Sequence, residues 1–209
     1  MSKRKHLTQS EVERLLQQAR YSYFAERNYC MIYMGFIHGL RVSELLSLRL
    51  SDIDLDGQSI YIHRLKNGLS TNHPLLPEEV EVIRVWLQAR RKIRYAADSE
   101  WLFLSRLGTR LTRQQFYKII TDYGKKAEIS ICSHPHMLRH ACGYALADRG
   151  IDTRLIQDYL GHRNIRHTVR YTASNAARFQ GVWQRKKRLV TGQLGPKCQV
   201  PRLVRLSSI

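Results

Sequence analysis

Along most of the chain apolar residues recur every three to four positions, the spacing of a helix with one buried face, and a single stretch breaks that rhythm. "LTQSEVERLLQQA", from Leu7, predicts a helix entered through a capping box, Thr8 with Glu11 three residues on. Leu7 and Val12 are placed to staple its first turn. "ERNYCMIYMGFIHG" is apolar nearly all round, as expected of a central helix buried on every side, and ends at Gly39. "VSELLSL" starts a short helix at Ser43. Between 52 and 76 the period falls to two. "SIYIHRL" and "STNHPLL" predict strands joined through Asn67-Gly68, a strong hairpin signal, with Lys66 at its tip. Pro77 and two glutamates open "PEEVEVIRVWLQARRKI", acids first and bases last as the helix dipole prefers. "WLFLSRLGTR" reads as a loop or a short extended piece. Further helices run from a Thr112 cap, from about Pro135 to Gly150, after Asp152 and after Asn164. "NAARFQGVWQRKKR" predicts a last amphipathic helix through Phe179 and Trp183. The expected fold is mainly α with a small antiparallel β-sheet. One domain spans 1–188, and a tail over 189–209 is mobile or docks on a neighbouring protomer.

Charge narrows the partner. Lys and Arg number 35 against 17 acidic residues among 209, a formal net charge of +18. Such a balance opposes compaction unless a polyanion neutralises it, so nucleic acid is the first partner expected and an anionic membrane surface the second. The apolar run "CMIYMGFI" is far short of the ~20 residues a membrane span requires. "MSKRKHLTQ" has no apolar core behind its charges, so no secretory signal is expected. Four cysteines without a C-x-x-C pair argue against a disulfide or zinc framework and for a reducing, cytoplasmic setting.

Candidate chemistry lies in polar residues that fit neither a plain core nor a plain surface. In "LGHRNIRHTVRYTASN", Tyr171 follows His162, Arg163, Arg166, His167 and Arg170 with no acid in the stretch. Positive charge favours a phenolate and attracts an anion. The segment is therefore either a solvated basic helix end or a nucleophile beside a phosphate. Arg41 stands at a helix start with Glu44 three residues on, and His136 and Arg139 share a helix face opposite Leu138, Ala141 and Ala145. His162 follows Gly161, a C-cap from which a side chain can enter a cleft. His136 and His140 have the i, i+4 spacing of a zinc pair but no glutamate between them, and Arg139 shares their face. His140 then reads as a half-buried helix histidine, and His6, His38, His63, His73 and His134 receive no role. The basic run Arg185–Arg188 is a solvated helix end or a DNA-backbone contact.

Together these residues suit phosphodiester chemistry. The planar forks of Arg41 and Arg139 fit non-bridging oxygens, and preorganised cations stabilise the charge that builds on a five-coordinate phosphorus. Lys66 can give a proton to a departing alkoxide, and Tyr171 can form a covalent intermediate. No aspartate cluster is present for Mg²⁺, so neither a metal nor another cofactor is expected.

Arg41, Lys66, His136, Arg139, His162 and Tyr171, ordered R…K…H-x-x-R…H…Y, resemble the catalytic hexad of the tyrosine recombinase (phage integrase) family. The intervals agree: 26 residues from His136 to His162 and 9 more to Tyr171. "HGLRVSELLSLRLSDID", "HPHMLRHACGYALADRGID" and "LIQDYLGHRNIRHTVRYTASN" resemble family blocks, in wording most like the fimbrial phase-switch invertases that regulate type 1 fimbriae. The resemblance runs from about residue 7 to 188. It implies the catalytic-domain fold of a DNA breaking-rejoining enzyme. Tyr171 would form a 3′-phosphotyrosine, Arg41 and Arg139 would grip the scissile phosphate, and Lys66 would protonate the leaving 5′ oxygen. His136 and His162 would contact phosphate oxygens and assist proton transfer, and Glu44 would orient Arg41. It further implies double-stranded DNA with inverted-repeat sites, a tetramer on DNA, DNA-bending architectural proteins, and work on the bacterial nucleoid. Most of the family carry an added N-terminal DNA-binding domain of about a hundred residues; the resemblance to the fimbrial invertases implies a chain that starts with the catalytic domain, without that addition. The alternatives are a type IB topoisomerase-like nicking-closing enzyme and a catalytically silent DNA-binding regulator. The reading requires the Tyr171 hydroxyl to be open to a duplex and the two guanidinium groups to meet.

Overall fold

The period-two stretch does leave the helical pattern. In a computed structural model, which describes residues 4–64 and 70–173, β2 (Ser59–Ile62) pairs antiparallel with β3 (Thr71–Pro74), Ile62 opposite Thr71. A two-residue strand, β1 (Ile53–Asp54), adds to the other edge of β2, giving the order β1-β2-β3. β1 was not expected, and both hairpin strands are shorter than their apolar runs. Lys66 at the hairpin tip, the helix expected over 175–188 and the tail over 189–209 lie outside the described residues, all of which fall in one compact unit.

Eight helices are described, and their ends follow local chemistry. α1 (Gln9–Arg20) carries the expected capping box: the Glu11 N–H donates to Thr8 Oγ1 at 3.2 Å, and the Thr8 N–H donates to Glu11 Oε2 at 2.8 Å. Leu7 and Val12 are both buried at its entry. α2 (Ala25–Ile37) is the central helix, with Met31, Ile32 and Met34 shut from solvent, packed against α1, α4 (Pro77–Arg90) and α6 (His136–Asp148). Each such side chain stabilises the fold by about 1.5–3 kcal/mol relative to exposure. Gly39, at φ +56°, turns the chain out of α2, and a Cβ there would lie 2.3 Å from a Leu160 methyl. The short α3 (Val42–Leu46) follows, then a 3₁₀ turn at Leu50–Asp52. α5 (Arg113–Lys126) starts at the Thr112 cap.

α7 (Thr153–Leu160) is capped by Asp152, which accepts the Arg154 N–H at 2.7 Å, and ends in left-handed Gly161. Asn164 caps α8 (Arg166–Ala173) through the Arg166 N–H at 2.9 Å. The larger hydrophobic core lies between α1, α2, α4, α5, α6 and the sheet. A second, smaller core holds Cys142, Ala147, Ile156, Leu160 and Tyr171 where α6, α7 and α8 meet. Of the described candidate residues, Arg41 and Glu44 lie at α3, His136 and Arg139 on α6, His162 just after α7, and Tyr171 on α8 inside the smaller core. Among the described residues, no helix is long and apolar enough to cross a membrane.

Candidate active site

Three segments distant in sequence converge on the carboxylate of Glu44. It sits on α3 with its side chain wholly buried, and accepts the Arg41 N–H at 2.9 Å and Arg41 Nη1 at 2.6 Å. Arg64, just past β2, donates Nη1 to Glu44 Oε2 at 2.9 Å, and Arg139 on α6 brings Nη1 to 3.9 Å of the same oxygen. Burial by itself would raise the Glu44 carboxyl. The Arg41 backbone N–H, the Arg64 charge and the Arg41 side chain outweigh it and hold the group below its usual value of 4.5.

The same three guanidinium groups cap the end of α7. Its last carbonyls have no partner within the helix, and the helix dipole concentrates negative charge there. Arg64 Nη2 donates to the Tyr159 carbonyl, Arg139 Nη2 to Leu160 at 2.6 Å, and Arg41 Nη2 to Gly161 at 3.3 Å. Arg139 Nη1 also donates to the Gly39 carbonyl at 2.6 Å, joining the end of α2 to the end of α7. The guanidinium pair of Arg41 and Arg139 therefore meets. Arg139 is nearly sealed from solvent while Arg41 is half-exposed. Burial, then the nearby Arg41, lowers the Arg139 pKa to about 10.

The histidines form the other wall. His136 opens α6 with its ring at the exposed mouth, and His140, one turn on, meets it edge to face at 4.5 Å between ring centres. His162 follows Gly161 and bonds Thr168 Oγ1 through Nδ1 at 2.9 Å. Surrounding protein first, then Arg139 in particular, pushes His136 down to about 4 and His162 to about 3. His140 is driven to about 3 by burial and by His136. All three are neutral imidazoles at pH 7.

Tyr171 departs from expectation. Its side chain is wholly buried, ring stacked 6.2 Å from His162 and edge-on to Tyr144 at 5.1 Å, with its hydroxyl 2.9 Å from His140 Nδ1. Burial raises its phenol above the usual 10, outweighing Arg170 and Arg139, which act in the opposite sense. The cations beside it in sequence do not make it a phenolate. On a helix, neighbours in sequence point about 100° apart: Arg166, His167 and Arg170 are exposed, whereas Thr168, Tyr171 and Thr172 form the buried face. The hydroxyl is not open to a duplex in this conformation.

Gly143 on α6 makes that packing possible, because a Cβ there would lie 2.6–2.8 Å from three Tyr171 ring atoms. Gly143→Ala is expected to lose about 1–3 kcal/mol by overpacking, measured by urea unfolding. An unchanged midpoint would mean that the ring is not held against α6.

Two residues of the site were not assigned from sequence. His140, a half-buried helix histidine by its sequence, touches the tyrosine hydroxyl, and its signal is the one-turn spacing from His136. Arg64 had a signal in strand alternation, which puts it on the inward face with Ile60 and Ile62, both fully buried. Burial and the carbonyl and Glu44 partners of Arg139 make it part of the framework as well as a candidate phosphate contact, so Arg139→Ala is expected to disturb the fold along with the site.

Comparison with known proteins gives a consistent result. The model of the phage integrase family matches residues 5–178. The type 1 fimbriae regulatory protein FimB of Escherichia coli (strain K12) is 60% identical over 185 residues, covering 88% of this chain and 92% of FimB. FimE from the same strain is 56% identical over 185 residues, covering 88% and 93%. Among solved structures, XerA recombinase superposes with a TM-score of 0.72 at 30% identity, over 83% of this chain and 61% of XerA. This chain thus spans about three-fifths of that recombinase.

Proposed function

This chain belongs to the phage integrase family, the tyrosine recombinases, and on that footing we propose that the pocket built on Glu44 breaks and rejoins DNA to invert a segment controlling fimbrial phase. Tyr171 Oη bonds to the scissile phosphorus, the bond from phosphorus to the 5′ oxygen breaks, and a 3′-phosphotyrosine remains. The phenolic proton passes to a neutral imidazole, and Lys66 protonates the departing 5′ oxygen. Arg41 and Arg139 hold the non-bridging oxygens, Glu44 fixes Arg41, and His136 and His162 contact the phosphate. The second half reverses these steps with a different 5′ hydroxyl, so bond energy is conserved without ATP. Attack requires Tyr171 to leave its buried position on His140, a side-chain movement made where α8 meets α6.

The observation that carries this reading is the convergence of Arg41 and Arg139 on Glu44 beside His162, which stacks on Tyr171, with His136 reaching the tyrosine through His140. The partner is double-stranded DNA with inverted repeats, gripped by four protomers with the help of DNA-bending proteins, in the cytoplasm on the nucleoid. Residues 1–188 act as the catalytic domain and 189–209 as a tail. The +18 charge makes binding steeply salt-dependent.

Incubation with genomic fragments and mapping of protein-linked DNA ends tests the activity. Adducts at 3′ ends of paired inverted repeats support it, whereas nicking without strand exchange between sites would point to a topoisomerase-like enzyme. Lys66→Ala should cut an ordinary nicked substrate about 100–10,000 times more slowly and recover on a 5′-bridging phosphorothiolate, whose sulfur leaves without an acid. No recovery would remove Lys66 from the general-acid role.

A further inference from the structure

Arg64 has no part in the reaction as written above, yet it lies in the middle of the pocket. Its side chain is fully buried between Glu44 and the Tyr159 carbonyl. Its Nε is buried without a hydrogen-bond partner among the described residues, 2.9 Å from where a Cβ on Gly161 would stand. A plain reading is that Arg64 ties the base of the β2–β3 hairpin to the end of α7. That does not account for the charge. Arg41 and Arg139 both repel a third guanidinium, so placing one here costs electrostatic energy.

Charge stoichiometry supplies a reason. Three guanidinium groups face one carboxylate and the end of a helix, the latter worth roughly half a negative charge. The histidines around them are neutral. The pocket therefore keeps an uncompensated positive charge of between one and two, in a site where water screens it poorly. A phosphodiester carries one negative charge, and its five-coordinate transition state carries two.

We propose that Arg64 is a third electrostatic arginine of the pocket. It shares the Glu44 carboxylate so that Arg41 and Arg139 keep their charge for the phosphate, and its own charge brings the pocket toward that of the five-coordinate phosphorus. Arg64 acts through Glu44 and through space, so it is a positioning residue. It serves the cleavage step more than DNA binding, because the second negative charge exists only in the transition state. This inference rests on the recombinase reading.

The test uses the full chain and nicked suicide substrates of two kinds: an ordinary phosphodiester, and a methylphosphonate, in which a methyl group replaces one non-bridging oxygen and removes one negative charge. Arg64→Met should slow covalent adduct formation on the phosphodiester about 100-fold. On the methylphosphonate, whose transition state carries one charge less, the loss should be at most about 5-fold, and DNA affinity should change by at most about 3-fold. Arg64→Lys, which keeps the charge, should retain the wild-type ratio of rates on the two substrates. That ratio is taken within each preparation, so a misfolded fraction cancels. Equal slowing of Arg64→Met on both substrates, or none on either, overturns the inference. A wild-type protein that forms no adduct with either substrate overturns the recombinase reading, and this inference with it.

Discussion

Tyr171→Phe should form no covalent adduct on a nicked suicide substrate under conditions where the wild-type protein is captured, and should bind the same DNA with unchanged affinity. The change deletes one oxygen. In the free protein that oxygen bonds only to His140 among the described residues. The ring, its packing on Gly143 and Tyr144 and the pocket's cations all stay. Phe leaves a buried histidine nitrogen unpaired, so stability should fall by about 1–3 kcal/mol, readable by urea unfolding. An adduct that survives the substitution would place the nucleophile elsewhere. A loss of DNA binding would instead make the hydroxyl a contact residue.

The second large effect is on stability. Glu44→Gln removes the carboxylate that accepts Arg41 and Arg64 and lies near Arg139. Two of those guanidinium groups are buried and lose their counter-charge. Breaking such a buried arrangement from one side costs about 3–5 kcal/mol, roughly 6–20 °C in melting temperature for a chain of this size. The sign with pH follows from the depressed carboxyl. Glu44 contributes its full stability above its ordinary value of 4.5 and loses it as pH falls through its lower folded value. The gap between wild type and Glu44→Gln should therefore be widest near neutrality and close on acidification. The depressed histidines act in the same direction: their stability is present above 6.5 and lost toward about 3 to 4. A melting difference of a degree or less at pH 7 would show that the carboxylate does not hold the cluster together.

Local chemistry was readable residue by residue. Thr8, Thr112, Asp152 and Asn164 each cap the helix their position suggested, since a cap is decided by a side chain and the backbone two or three residues on. The apolar α2 is central because no face of it offers a polar stripe to water. β1 was missed because two residues carry no period. The Lys66 assignment falls outside the described residues.

The sequence by itself determined the described helices and their caps, the pairing of the two hairpin strands, the appetite for a polyanion and the six spaced residues whose order marks the family. Those follow from short-range geometry and from charge, which a list of residues already contains. Only the tertiary structure decided that Arg41, Arg64 and Arg139 share one carboxylate and cap one helix end, and that Tyr171 lies inside on His140. Basic neighbours along the chain suggested an ionised phenol, but a helix turns them outward and packs the ring against Gly143. Whether a charge acts on a group depends on distance and on the water between them, and both are set by how the helices pack.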